Sequence, residues 1–335
     1  MTASLSALIV GPGEIAEVFA RSAMDAGIAH VKHVLGRRPE RARAFCERHG
    51  GSVVASLDEG LQDVDFAYVA TPHTGHARAT GAALAAGVPV LCEKPLTESP
   101  KLTSKLLATG QVPLMEAWMY RAHPQWHALV ERIASGTLGE LRHVQAEFAF
   151  DAPMDPAHRL FDPALAGGGI LDVGGYPLSF FLGVLRAEAA STAPWSGIEL
   201  VEASGLVGPT GVDVDTTLFA RAGDCTAELT VALVRDGGMH ARVEGTRGSA
   251  WLEEPFVPEG QRFGRSGVLV TEVDGIQTRQ VIESPLNCFA LEAAAFRAQL
   301  HDARRAPEFP LVDHTETLAI AELADRWRAL LAPTR

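Results

Sequence analysis

A-L-I-V-G-P-G-E-I-A, residues 7–16, runs from a short apolar segment into a glycine turn. Ala7–Val10 suits a strand buried on both faces. The residues after the turn, E-V-F-A-R-S-A-M-D-A, have helical character and stop at Gly27. Strand, glycine turn and helix together are the context in which G-x-G-x-x-A binds a dinucleotide. Gly11 allows the tight turn, Gly13 lets a pyrophosphate approach the backbone, and Ala16 lets the helix pack on the strand. Gly11, Pro12, Gly13, Glu14 and Ile15 are therefore the candidate cofactor contacts here. A glycine turn before a helix is common, so the motif alone is weak. Glu14 departs from expectation, because a carboxylate beside a phosphate repels it unless it points to solvent.

A second strand, near Val31–Leu35, ends in Gly36-Arg37-Arg38-Pro39. An acidic residue at this point would hold the ribose hydroxyl of NAD. Two arginines stand there instead, which favours the 2′-phosphate of NADP, with NAD still possible; the alternative is a solvated Arg pair opening the next helix. D-F-A-Y-V-A-T-P-H-T-G-H (65–76) and V-P-V-L-C-E-K-P-L-T (88–97) are further apolar strands with helical segments between. That alternation predicts a doubly wound parallel sheet over residues 1–118. Ligands of such sheets sit at the carboxyl ends of the strands. Thr71, Pro72, His73, Glu93 and Lys94 fall there, with His76 close behind, and all six are candidate cofactor contacts. Lys94 reads either as a catalytic cation or as half of a buried ion pair with Glu93 or Glu116.

Residues 119–335 form a second domain, with Val144–Phe150 alternating as a half-buried strand does. Strand-like segments recur near 199–207, 214–220, 225–234, 240–245, 249–253, 267–272 and 276–282, several joined by short Gly-containing turns. They predict a large, mostly antiparallel sheet, with helices over 125–135, Asn287–His301 and Thr315–Leu331. The C-terminal helix is free to pack back on the first domain. Within A-G-G-G-I-L-D-V-G-G-Y-P-L-S-F-F-L-G-V-L (166–185), Asp172 and Tyr176 are one helical turn apart on one face. Two readings stand: Asp172 caps the glycine run and Tyr176 is core, or both face a pocket. Pro177 should kink or restart the helix, making that spacing approximate. Asp155–Asp162 reads as a loop over the pocket, with His158 and Arg159 as substrate contacts or plain surface residues. Trp118, Tyr120 and Phe161 are the candidate pocket walls.

The net charge of −12 argues against nucleic-acid or anionic-membrane partners. Cys46, Cys92, Cys225 and Cys288 are scattered, with neither zinc spacing nor a disulfide framework, so no metal is expected and a reducing, cytoplasmic setting fits. The N-terminus lacks a signal-peptide pattern, and Gly and Pro break the apolar runs before any reaches membrane-spanning length.

G-P-G-E-I-A, A-T-P-H-T-G-H, C-E-K-P-L-T, M-E-A-W-M-Y-R-A-H-P, G-G-G-I-L-D-V-G-G-Y-P-L and V-E-G-T-R-G-S-A occur in this order along nearly the whole chain. Together they resemble the Gfo/Idh/MocA family of nicotinamide-dependent oxidoreductases. The resemblance implies a Rossmann domain followed by an α+β domain on a large sheet, often used to form dimers or tetramers. It implies that Lys94 lies beside the nicotinamide before a cis Pro95, and that Asp172 and Tyr176 face the substrate. Many members have His where this chain has Tyr176. Tyr there resembles the dihydrodiol dehydrogenase, xylose dehydrogenase and glucose-fructose oxidoreductase branch, which favours NADP. The implied activity is hydride transfer between NADP and a hydroxyl or carbonyl carbon of a sugar or cyclic diol, with Lys94, Tyr176 and Asp172 as the catalytic group. The alternatives are a sugar ketoreductase, a nicotinamide-dependent glycosidase, and a silent cofactor-binding regulator.

Overall fold

The computed structural model describes residues 3–189 and 194–331. In the first part of the chain the elements are β1 (Leu5–Val10), α1 (Glu14–Asp25), β2 (Ala29–Leu35), α2 (Pro39–His49), β3 (Ser52–Val53), α3 (Leu57–Gly60), β4 (Phe66–Val69), α4 (His73–Ala85), β5 (Val90–Glu93), α5 (Pro100–Ala108) and β6 (Leu114–Ala117). The strands form one parallel sheet in the order β3-β2-β1-β4-β5-β6. β4, β5 and β6 are buried along their whole length, so they read as short apolar runs without alternation. α1 buries Ala16, Phe19, Ala20 and Ala23, the three-and-four spacing of one helix face.

The remaining elements are α6 (Pro124–Ala134), β7 (Leu141–Asp151), α7 (Gly175–Ala189), β8 (Glu199–Val207), β9 (Asp213–Ala222), β10 (Cys225–Ala232), β11 (Val234–Gly245), β12 (Gly248–Leu252), β13 (Gly267–Val273), β14 (Ile276–Ile282), α8 (Cys288–His301) and α9 (His314–Leu331). Eight strands pair in the order β14-β13-β12-β11-β7-β10-β9-β8, all antiparallel except β7 with β10. The expected sheet is therefore present. β11 runs longer than the expected 240–245, because a register shift between Val234 and Gly238 breaks the alternation that would have marked it.

The compact units do not follow the chain linearly. One comprises Met1–Ala122, Gln261–Gly264 and Pro285–Thr317; the other comprises His123–Gly260, Arg265–Ser284 and Leu318–Arg335. The first unit thus runs to Ala122, a little past residue 118, and takes in α8 together with the first turn of α9. The reason is visible in the first core, where Ala290, Ala293 and Phe296 of α8 pack with Ile9, Phe19, Phe66 and Tyr68.

One further expectation is corrected. The helical run Pro163–Ala189 is long enough to cross a membrane and contains an 18-residue window with a mean hydropathy of 1.4. Its apolar window is entirely buried within the protein, as befits a core helix.

Candidate active site

In the first unit the glycine turn has the shape a pyrophosphate requires. Gly11 has φ +94, and a Cβ there would lie 2.7 Å from the Ala70 carbonyl oxygen, so only glycine fits. A Cβ on Gly13 would meet nothing within 4 Å, which leaves open space over the start of α1. Gly13 also caps α1 with no side-chain acceptor, leaving its first-turn N–H groups to a ligand or to water. These features fit a dinucleotide. Arg37 and Arg38 are exposed at the carboxyl end of β2, and no carboxylate stands beside them in sequence before Glu40.

At the ends of β4 and β5 the structure gathers Thr71, Pro72, His73, His76, Glu93 and Lys94, but not all as surface contacts. Thr71 Oγ1 is buried without a hydrogen-bond partner among the described residues, which suits a group awaiting a ligand. Pro72 caps α4 and His73 opens it. His76 is not a cofactor contact: it is 1% exposed, with Nδ1 2.8 Å from the Pro95 oxygen and Nε2 2.8 Å from the Thr71 oxygen. A neutral ring can donate to only one of these carbonyls, whereas an imidazolium satisfies both. Burial nonetheless outweighs the pull of the two carbonyls and lowers its pKa, which favours the neutral ring. His76 ties together the two turns that carry Thr71 and Lys94.

Glu93 likewise faces inward, accepting from the Tyr68 hydroxyl at 2.5 Å. Tyr68 stacks on Phe19 at 3.8 Å between centroids. Beside them Glu292 of α8 is fully buried, and neither of its oxygens has a hydrogen-bond partner among the described residues. Burial, then the charge of Glu93, holds the Glu292 carboxyl well above the usual range. Lys94 is half-buried and follows directly, before a cis bond to Pro95. Glu116, raised by burial, is pulled down by Trp118, Thr317, the Leu96 N–H and the charge of Lys94. Both readings of Lys94 thus keep a physical basis. Tyr120 has no exposed surface and Trp118 almost none, so neither presents a pocket wall.

In the second unit, Asp172 sits in a single π-helical turn, Ile170–Gly174, that leads straight into α7. The widening replaces the expected kink. It lies where the Pro177 ring would crowd the carbonyl four residues back, at Val173, and Pro177 itself falls in the first turn of α7. Arg159 Nη1 donates to Asp172 Oδ1 at 2.7 Å, with Asp172 nearly buried and Arg159 half-exposed. A charge-assisted bond of this kind fixes the carboxylate. Tyr176 is 6% exposed, its ring 5.0 Å from Phe148 and 5.2 Å from Phe256, which stack on each other at 5.7 Å. His158 is exposed on the same loop as Arg159, and Phe161 is fully buried, so it too is core and not a pocket wall.

Asp213, at the start of β9, caps the glycine run. Its Oδ2 accepts from the Ile170 N–H at 2.7 Å. Gly168 has φ +117, and a Cβ there would lie 2.5 Å from Asp213 Oδ1. Burial raises the Asp213 pKa against the backbone donors that lower it. Asp213, Phe148, Phe256 and Glu292 are the residues that sequence reading missed.

Residues 5–111 match the family model described as oxidoreductase family, NAD-binding Rossmann fold. Residues 126–251 match the Gfo/Idh/MocA C-terminal domain. The chain is 34% identical over 261 residues to the mouse trans-1,2-dihydrobenzene-1,2-diol dehydrogenase, covering 75% of each. It is 30% identical over 267 residues to the dTDP-3,4-didehydro-2,6-dideoxy-alpha-D-glucose 3-reductase of Actinomadura kijaniata, again covering 75% of each. A crystal structure of a 3-ketoreductase from Actinomadura kijaniata, in complex with NADP and TDP-benzene, superposes with a TM-score of 0.82 and 26% identity over 98% of both chains. With both of its domains matched and the fold shared end to end, the chain belongs to the Gfo/Idh/MocA family of oxidoreductases.

Proposed function

We propose that the protein transfers hydride between NADP and a hydroxyl or carbonyl carbon of a sugar or cyclic diol. The observation that carries this reading is Tyr176 packed beside the stacked Phe148 and Phe256 rings, one turn from the Arg159–Asp172 pair. The phenol and carboxylate suit a substrate's hydroxyls, and the rings packed behind Tyr176 hold its phenol in place. The dinucleotide would be held by the Gly11–Gly13 turn, Arg37 and Arg38, with Lys94 near its nicotinamide end, and when bound it supplies or accepts the hydride.

Oxidising an alcohol releases a proton, and Tyr176 takes it as general base; in the reductive direction the phenol returns it. Lys94 favours the phenolate electrostatically, and Asp172, locked by Arg159, orients the substrate hydroxyl. Lys94 and Tyr176 belong to different units, and their meeting at one substrate is part of the proposal. Two further findings support it. The similar proteins include a diol dehydrogenase and a sugar ketoreductase, and separate crystal structures of that ketoreductase carry a Tyr-to-Phe and a Lys-to-Ala replacement. We also read the protein as a homodimer or homotetramer through its large sheet.

The test is a panel of aldoses, polyols and trans-dihydrodiols with NADP and NAD, and of their keto forms with the reduced cofactors, followed by nicotinamide absorbance. Turnover with NADP on one class is expected. Tight NADPH binding without turnover on any member would replace this reading with that of a binding protein.

A further inference from the structure

Glu14 remains unexplained by the function, since it sets a carboxylate immediately after the glycine turn. The structure gives it a partner from far along the chain. The tip Gln261–Gly264 lies between β12 and β13 in sequence but belongs to the first unit. Arg262 Nη1 donates to Glu14 Oε1. The neighbouring Phe263 ring lies under the Arg21 guanidinium, 4.7 Å from its centroid. Glu14 and Arg21 are both on α1, the helix that begins at Gly13. The tip is shaped for this, with Gly264 N–H donating to the Gln261 oxygen at 3.0 Å. Its base is pinched where Arg265 N–H donates to Glu259 Oε2 at 3.2 Å.

We propose that this tip is a latch on the bound dinucleotide, with Arg262 shared between Glu14 and the cofactor's pyrophosphate. The inference rests on the reading that the dinucleotide lies at the Gly11–Gly13 turn. Three physical points carry it. Glu14 alone would repel a pyrophosphate, and Arg262 cancels that charge at the same place. A guanidinium has five N–H donors in a planar fork, and the pair with Glu14 uses Nη1, so it can hold a carboxylate and a phosphate oxygen at once. The pair is solvent-exposed, with side-chain exposures of 47% and 79%, so it adds little to folding by itself. A bridge that does little for stability, placed at the mouth of a ligand site, acts on the ligand. The Arg21–Phe263 contact anchors the tip beside it without adding charge at the phosphates.

The measurement is the dissociation rate of NADPH and of NADH, by stopped-flow displacement of nicotinamide fluorescence, for wild type, Arg262→Ala and Phe263→Ala. Arg262→Ala should speed release by roughly tenfold for both cofactors, because the pyrophosphate is common to them. The difference from wild type should shrink as salt rises, which loss of packing alone would not produce. Phe263→Ala keeps the charge and loosens the tip, so it should speed release by a smaller factor. Unchanged release in Arg262→Ala, with dinucleotide still bound, overturns the latch and leaves the cofactor site standing. An effect confined to NADPH moves Arg262 to the 2′-phosphate and overturns the pyrophosphate assignment. A wild-type protein that binds neither cofactor overturns the latch together with the site it rests on.

Discussion

Tyr176→Phe keeps the ring beside Phe148 and Phe256 and removes the hydroxyl that carries the proton. On the proposed mechanism kcat should fall by roughly 10²–10⁴, with dinucleotide affinity unchanged in a fluorescence titration. A variant with wild-type kcat would leave Tyr176 as packing. Arg37→Asp puts a carboxylate where a 2′-phosphate is expected, so titration should show NADP weakened far more than NAD. Glu292 gives a pH dependence whose sign is fixed. Its pKa is raised in the folded state above the ordinary 4.5, so the fold keeps a proton that the unfolded chain gives up. The stability this confers is complete below about pH 4.5 and is lost as pH rises toward the raised value. Glu292→Gln has no proton to lose, so its Tm should exceed wild type at about pH 8 and lose that advantage at about pH 5. The placement of Lys94, Asp172 and Tyr176 near element ends is legible in the sequence because each stands in a motif there. Glu292 is not legible, because a glutamate amid Leu291 and Ala293 looks like a solvated helix position until α8 is seen buried on the parallel sheet.

At the level of elements, the glycine run before α7 depends on a carboxylate from another strand. Asp213→Ala removes the acceptor of the Ile170 N–H and should cost about 1–3 kcal/mol in urea unfolding. Asp213→Asn retains an acceptor oxygen and should recover most of that. If the two variants are equally unstable, the charge and not the cap is what matters. The run itself was visible in sequence, since three glycines before an apolar stretch announce a backbone that needs space. Its holder was not, because Asp213 follows an unrelated turn and carries no local signal. The turn around Asp172 shows a similar limit. Pro177 announces a disturbance in the helix, but sequence cannot say whether the chain kinks at proline or widens one turn earlier. Helices and strands with a clean period, such as α1 and β9, were readable because one face meets the core and the other does not. β3, two residues long, offers no period to read.

Across the whole molecule, the eight-stranded sheet buries one face, with Val144, Ala146, Leu218, Ala220, Ala227 and Leu229. Its other face presents Gln145, Arg221, Thr226, His240 and Glu244, with Phe219 among them. Arg235 pairs there with Glu147 at 2.6 Å and Asp215 at 2.8 Å, and Arg242 lies 4.7 Å over the Trp251 ring. The open face is mostly polar, and a strand's alternation shows which residues point away from a core but not what they meet. A dimer through this face would be joined by charges and hydrogen bonds. We expect light scattering at micromolar protein to show it weakening as salt rises; a monomer at low salt would count against it. The parallel sheet has a different dependence, on α8. Phe296 packs 5.4 Å from Phe66, and the Leu114 N–H of β6 donates to the Arg305 oxygen at 3.0 Å. A ribosome delivers Met1–Ala122 long before it delivers these residues. The nascent first third must therefore wait, its apolar surface uncovered, until most of the protein has been translated. Residues 1–122 made alone should then show no cooperative thermal transition, and the order of synthesis cannot be the order in which this protein completes its folding.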